Sequence, residues 1–178
     1  MALFTSAGKK FLAALSDPST DLKKLRSFSE GSRDKGVSDR SVLSLLMQRA
    51  CETDILPLDD FGAILRNLVT SGVDLNSTIG SGGETALQLA VGCDRAPVAE
   101  ALLLAGASPV ASSAGGRTAL HIASANGSFA IAEILVGAGS DINAEDSDGN
   151  SPLHAAVMRK GNIRLVESAS AAAAPIRP

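Results

Sequence analysis

The chain has 178 residues, enough for one domain or one short array of repeats, and 45% of them are hydrophobic. Only 3% are aromatic, with no Trp and no Tyr, so the core must be built from Leu, Ile, Val and Ala. Residues 1–40 carry 8 basic and 5 acidic side chains within a chain of net charge −3, an imbalance too small to indicate nucleic acid or an anionic membrane as a partner.

The N-terminal sequence and the cysteines bear on location. Lys9 and Lys10 interrupt the first apolar stretch, which argues against a secretory signal, and no apolar run reaches the roughly 18 residues of a membrane span. Cys51 and Cys93 are far apart and too few for a disulfide framework, which favours a reducing compartment. We therefore predict a cytoplasmic protein, with nuclear or mitochondrial import left open.

Two features of the sequence repeat with the same period. Three similar segments begin 33 residues apart, at Thr85 (TALQLAVGCD), Thr118 (TALHIASANG) and Ser151 (SPLHAAVMRKG). A second motif, in LVTSGVDLN, LLLAGASPV and LVGAGSDIN, has its glycines 34 and 33 residues apart, at Gly72, Gly106 and Gly139. A shared period in two features predicts a stack of similar units.

The first helix of each unit is best defined after Thr118. This threonine can accept hydrogen bonds from backbone N–H groups one turn on, which places Leu120 and Ala123 on the inward face. Gly127 suits the left-handed conformation that ends a helix. A helix is therefore predicted from about residue 118 to 126.

A second helix follows in the segment IAEILVGAG. Ile131, Ile134 and Leu135 recur at helical spacing, and Gly139 ends this helix as Gly127 ends the first. Ile142 then turns inward between two polar neighbours. Such a helix pair cannot bury its apolar face alone and must stack on copies of itself.

These motifs resemble the ankyrin repeat. The family's T-P-L-H-x-A box appears as TALHIA at residues 118–123 and as SPLHAA at 151–156, whereas TALQLA at 85–90 has Gln88 in place of histidine. The family's G-A-D-hydrophobic-N end is clearest at residues 139–143. The resemblance implies an all-α solenoid of about five helix-pair repeats, including N- and C-terminal caps.

The same resemblance organises the rest of the chain. It implies a tail at 1–6, an N-terminal cap at 7–30, a polar loop at 29–39, repeats starting near 36, 82, 115 and 148, and a tail at 175–178, so that the repeat domain spans 7–174. The second repeat opens at Ser41, and its second helix has Ile64, Leu65, Leu68 and Val69 in register. A ten-residue insertion, CETDILPLDD at 51–60, separates its helices.

Candidate catalytic and metal-binding residues have simpler explanations. His121 and His154 lie one repeat apart, too far to share a metal, and the family uses this histidine to brace a loop against a helix. The glycines at 80–83 and 115–116 suit hairpin tips better than a phosphate loop, and the aspartates near Asp146 lack the spacing of a calcium loop. Cys93 ends a first helix, where thiolate is disfavoured, and should be unreactive. We predict no enzyme activity, no cofactor and no metal.

The family binds partners on its concave side, formed by the hairpin fingers and the outer side of each first helix. The resemblance places these residues there: Arg40, Gln48, Arg49, Glu84, Cys93, Arg117, Asn126, Asp148, Asn150, Met158 and Arg159. Four arginines against two acids suit a protein interface, although ordinary solvated charges explain them equally well.

The predicted function is therefore protein–protein interaction, as an adaptor or regulator that scaffolds a partner. A permanent structural subunit of a large assembly is the alternative. Nucleic acid is excluded as a partner because stacking aromatics and a continuous basic stripe are missing, and neither a membrane nor a small-molecule substrate is expected.

Overall fold

The computed structural model of the chain describes residues 40–52 and 58–158. These residues form helices, connected by short loops and by hairpin-like fingers with two isolated antiparallel bridges, Thr78 to Thr85 and Ser112 to Thr118. No strand occurs in this part of the chain. The helices are α1 (Arg40–Glu52), α2 (Leu58–Thr70), α3 (Ala86–Gly92), α4 (Ala96–Leu104), α5 (Ala119–Asn126), α6 (Phe129–Gly137) and α7 (Pro152–Met158).

The helices stack in two rows. The first helices α1, α3, α5 and α7 contact one another in sequence order, and the second helices α2, α4 and α6 do the same in a parallel row. Within a repeat, α3 packs on α4 and α5 on α6. The prediction of an all-α solenoid is confirmed. The predicted N-terminal cap at 7–30, the loop at 29–39, the end of the last repeat at 159–174 and both tails lie outside the described residues.

The core lies between the two rows and is mostly aliphatic, as the composition predicts, with the fully buried Phe61 of α2 added to it. Leu120 is 3% exposed, and Leu135 and Ile131 are buried with it, which confirms the predicted register of the fourth repeat. Each such side chain contributes about 1.5–3 kcal/mol relative to an exposed one. In α2, the predicted register holds only in part: Ile64, Leu65 and Leu68 are buried, whereas Val69 is 39% exposed.

Helices α5 and α6 end at the glycines that the sequence predicts, whereas α3 ends differently. Gly127 has φ of +74° after α5, and Gly139 has φ of +92° after α6, where the N–H of Ser140 donates to the carbonyl of Leu135 at 3.0 Å. At the equivalent position after α3 stands Asp94, with φ of +56°. This left-handed aspartate accepts a hydrogen bond from the hydroxyl of Ser128 in the next repeat, which helps to hold it there.

The insertion in the second repeat is shorter than predicted. Cys51 and Glu52 continue α1, and Leu58 already opens α2. Asp59 and Asp60 lie in the first turn of α2, where their charge favours the helix N-terminus. Only residues 53–57 separate the two helices, and they lie outside the described residues.

Candidate partner-binding face

The fingers are braced against the first helices by side chains that span two repeats. Nδ1 of His121 accepts from the N–H of Thr118 at 3.1 Å, and its Nε2 lies 2.9 Å from the carbonyl oxygen of Asn150 in the next finger. An imidazole protonated on Nε2 satisfies both bonds at once. The predicted structural role of His121 agrees with this geometry. His154 accepts from the N–H of Ser151 in the same way, at 3.1 Å.

The fingers themselves stack closely. The tips at Gly83 and Gly116 have φ of +78° and +73°, and a Cβ on Gly116 would come within 3.0 Å of the backbone nitrogen of Ser147. The N–H of Ser147 donates to the carbonyl of Gly115 at 3.0 Å. Turn geometry and close packing therefore account for these glycines. Among the described residues, no three His, Cys, Asp or Glu side chains converge to hold a metal ion.

A groove of about 320 Å³ opens between α1, α3 and the finger that precedes α3. We call it the first-helix groove. Its base is apolar, with Met47 fully buried and Leu89 and Ile79 half-buried, whereas Gln48 and Glu52 lie exposed at its edge. The lining residues are Ser44, Met47, Gln48, Cys51, Glu52, Ile79, Gly80, Ser81, Leu89 and Cys93.

Two of the predicted site residues, Gln48 and Cys93, meet in this groove although 45 residues of sequence separate them. Gln48 donates from Nε2 to Oε1 of Glu52 at 3.0 Å, so the edge carries one polar pair. Arg49, on the same helix, is half-buried and does not line the groove. The groove is therefore amphipathic, with an apolar base and a polar edge.

Several predicted site residues are engaged within the protein. The carboxylate of Glu84 accepts from the N–H of Gly82 at 2.9 Å and thus holds its own finger. Asn126 donates from Nδ2 to the carbonyl of Val91 at 3.4 Å, which ties the end of α5 to the end of α3. These side chains support the shape of the face as well as lying on it.

The last described finger is organised by Asp146. Its Oδ1 accepts the N–H of Asn150 at 2.8 Å and the N–H of Asp148 at 3.0 Å. The backbone hydrogen bond from Asn150, helped by that from Asp148 and by His121, lowers the pKa of Asp146 below its ordinary value, against a smaller opposing effect of burial. Asp148 is exposed and Asn150 half-buried on a finger of fixed shape.

Arg117 is exposed on the finger that leads into α5. Its backbone carbonyl accepts from Nε2 of Gln88 at 2.6 Å. The backbone of Arg117 is therefore held in place, while its side chain is exposed to solvent. Arg40 and Met158 belong to α1 and α7, but their side chains lie outside the described residues, as does the whole of Arg159.

The expectation that the two cysteines form no disulfide is wrong. Cys51 and Cys93 form a disulfide, with their Cα atoms 5.8 Å apart. They are 42 residues apart in sequence, but stacking of α1 on α3 brings the C-terminal ends of the two helices together. The argument for a reducing compartment from isolated cysteines therefore loses its basis.

The sequence reading also missed most of the groove lining. Met47, Leu89 and Ile79 were absent from the predicted site because apolar residues in a repeat are expected to serve the core. One feature of the sequence could have indicated the groove. The helical pattern of α1 continues without a break to Glu52, so α1 is longer than the other first helices. An extended α1 predicts that its last turn faces the end of α3.

Comparison with protein families gives a match to ankyrin repeats, with 3 copies, over residues 46–146 and 110–168. A comparison with curated proteins gives no match. Across the described residues, no helix combines the length and apolarity needed to cross a bilayer. Ankyrin repeats generally act as protein–protein interaction modules and are typically not enzymes. Because the match covers more than half of the 178 residues and the helices stack as such repeats do, the chain belongs to the ankyrin-repeat family.

Proposed function

We propose that this protein binds a partner protein on the concave face formed by its first helices and fingers, and acts as an adaptor or regulator. The first-helix groove is the observation that carries the proposal, because it is an apolar depression made jointly by two repeats and a finger. Interfaces place apolar side chains in such pockets and surround them with polar contacts.

The chemistry of the face suggests what the partner presents. The base of the groove, formed by Met47, Leu89 and Ile79, suits one aliphatic side chain of an extended segment. The exposed Arg117 lies on the next finger along, and its planar fork suits a carboxylate of the same partner. We therefore propose a partner segment that presents one apolar residue to the groove and an acidic residue to Arg117. Arg159, which the ankyrin resemblance assigns to the same face, is proposed as a second cation for this partner.

A permanent place in a large assembly is the second candidate. A permanent subunit would use the same concave face as an adaptor. The two candidates differ in whether the protein dissociates from its partner. Size-exclusion chromatography of native extract distinguishes them, because an adaptor elutes partly as a free monomer and a permanent subunit only within a stoichiometric complex.

Site-specific photo-crosslinking tests the face directly. A photoreactive residue placed at Gln48 or at Arg117 should form an adduct with one and the same partner in cells that express the protein. The matched controls are Glu100 in α4 and Glu133 in α6, which are also exposed but belong to the row of second helices. Adducts that form at Glu100 and Glu133, and not at Gln48 or Arg117, would refute the proposed face.

The segment Ile55–Leu58 is a competing site, since it is apolar and interrupts the second repeat. Replacing residues 53–57 with a Gly/Ser loop should leave capture of the partner intact. The double variant Arg117→Ala, Arg159→Ala should lose it. If only the loop replacement loses the partner, the segment between α1 and α2 is the binding site instead.

A further inference from the structure

We propose that Cys51 and Cys93 are a redox-active pair, which exchanges with small-molecule disulfides and dithiols and, when oxidised, fastens α1 to α3 beside the first-helix groove. The pair joins two adjacent repeats, because Cys51 lies in the last turn of α1 and Cys93 directly follows α3. It thus links two elements that are otherwise held only by non-covalent packing.

The backbone is placed for reversible bonding. The Cα atoms of Cys51 and Cys93 are 5.8 Å apart, inside the range of about 4.4–6.8 Å that a disulfide spans without movement of the backbone. Neither helix has to shift for the bond to form or to break. Both residues line the groove, so the bond forms part of its wall.

The pair is open to reagents. Cys93 is exposed and Cys51 is half-buried, so a small thiol or disulfide in the groove can reach the sulfur of Cys93 first. Exchange requires such access, and a disulfide enclosed in a core does not have it.

The surroundings also accommodate the reduced state. Sγ of Cys51 lies 3.9 Å from the carbonyl oxygen of Leu89, which can accept the proton of the free thiol. The guanidinium of Arg95 donates to the carbonyl of Cys51 at 3.3 Å and keeps the end of α1 against the third repeat. Reduction therefore removes the covalent link while these contacts remain, so the fold persists in both states.

The chemical step balances with a low-molecular-weight disulfide such as oxidised glutathione. The thiolate of Cys93 attacks one of its sulfurs, forms a mixed disulfide and releases one glutathione thiolate. The thiolate of Cys51 then attacks the sulfur of Cys93 and releases the second. The two cysteines lose two electrons and two protons in total, and the reagent becomes two thiols. A dithiol reverses both steps.

Oxidation limits how far α1 and α3 can separate. The two bonded cysteines are 42 residues apart, and the closed loop contains α2, the finger that precedes α3, and α3 itself. Openings of the second repeat that break the α1–α3 contact are suppressed, because a crosslink removes conformations of the opened state. This inference concerns the chain alone and does not depend on the proposed partner.

The first test measures the bond. The full chain is reduced with dithiothreitol, desalted and incubated with oxidised glutathione, and its cysteines are then mapped by alkylation and peptide mass spectrometry. We expect a Cys51–Cys93 crosslink that dithiothreitol reverses, and a glutathione adduct on Cys93 in the Cys51→Ser variant. Glutathione adducts on both cysteines of the unaltered chain, without a crosslink, would overturn the proposal.

The second test measures the consequence by amide hydrogen exchange. Amides at residues 42–50 of α1 should exchange about tenfold more slowly, or slower still, in the oxidised protein than in the reduced one. The Cys51→Ser, Cys93→Ser variant should show the same exchange before and after the oxidant. A complete crosslink that leaves α1 exchange unchanged would show that the pair does not fasten the repeats.

Discussion

Gln88 and His121 occupy equivalent positions in adjacent repeats, and each bonds to the backbone carbonyl 29 residues further along the chain. Gln88 accepts from the N–H of Thr85 at 2.9 Å and donates to the carbonyl of Arg117 at 2.6 Å. His121 accepts from Thr118 and reaches Asn150 in the same way. The amide of Gln88 can thus replace the imidazole of His121. Each side chain has one atom that accepts from the backbone N–H at the helix start and another that donates to the next finger.

This equivalence predicts how Gln88 responds to substitution. Gln88→Ala leaves buried partners without hydrogen bonds and should cost about 1–3 kcal/mol of unfolding free energy. Gln88→His restores the acceptor and the donor to Arg117 and loses only the second donation of Gln88, to the carbonyl of Ala111 at 3.2 Å, so its loss should be clearly smaller than that of Gln88→Ala. Urea denaturation followed by circular dichroism measures both. Equal losses for the two variants would mean that the brace at this position is not a hydrogen-bonding one.

The core of the fourth repeat gives a second prediction. Leu120 is 3% exposed in the core between the two rows of helices. Leu120→Ala should lower the unfolding free energy by about 2–5 kcal/mol, because it leaves a cavity that close-packed neighbours only partly fill. Since a solenoid is held by contacts between neighbouring repeats, α7 should lose protection as well.

Calorimetry and amide hydrogen exchange check this result. Val69→Ala is the control, because Val69 is 39% exposed and should lose far less stability. An unchanged melting temperature for Leu120→Ala would mean that Leu120 does not pack in the core between the two rows of helices.

A third prediction concerns a buried hydroxyl. Ser124 on α5 is fully buried, and its Oγ has no hydrogen-bond partner within the described part of the chain. Ser124→Ala removes an unsatisfied polar group and adds a better helix former, so it should raise the unfolding free energy by about 1 kcal/mol.

Ser147→Ala is the matched control for the hydroxyl. Ser147 is exposed on a finger, and its change should fall within about 0.5 kcal/mol of zero. Chemical denaturation of the two variants side by side measures the difference. A loss of stability in Ser124→Ala would indicate that its hydroxyl does have a partner in solution.

A fourth prediction follows from the lowered pKa of Asp146. The ionised carboxylate accepts the hydrogen bonds of the finger, so its contribution is fully present above the ordinary pKa of 3.8 and is lost as pH falls through the lower pKa of the folded protein. The amides of Asp148 and Asn150 should therefore stay ordered at neutral pH and lose their hydrogen-bonded chemical shifts in acid. An NMR titration measures this, and in Asp146→Asn the acid-dependent change should disappear.

The sequence predicts the stack of helices better than it predicts the candidate binding face. The period and the glycines fix the two rows of helices, because each repeat must place the same apolar positions on its neighbours. The disulfide was missed because Cys51 lies in the extra turn of α1, which has no counterpart in the other repeats. The groove base was missed because apolar residues such as Met47 and Leu89 are expected to serve the core. The left-handed conformation of Asp94, at a position that favours glycine, could not be predicted either, because it depends on the contact with Ser128 in the next repeat.

The last prediction concerns the proposed partner and rests on Arg117. Arg117→Ala removes the exposed guanidinium but leaves the backbone carbonyl that Gln88 holds at 2.6 Å, so the fold should be unaffected. If Arg117 contacts a carboxylate of the partner near the centre of the interface, the loss should be about 2 kcal/mol, which is more than a tenfold weaker affinity. Arg66→Ala is the control, because Arg66 is also exposed but lies on α2 in the other row. Affinity for the crosslinked partner, measured by calorimetry together with melting curves of both variants, gives the answer. An equal effect of the two substitutions would mean that charge alone, and not this face, governs binding.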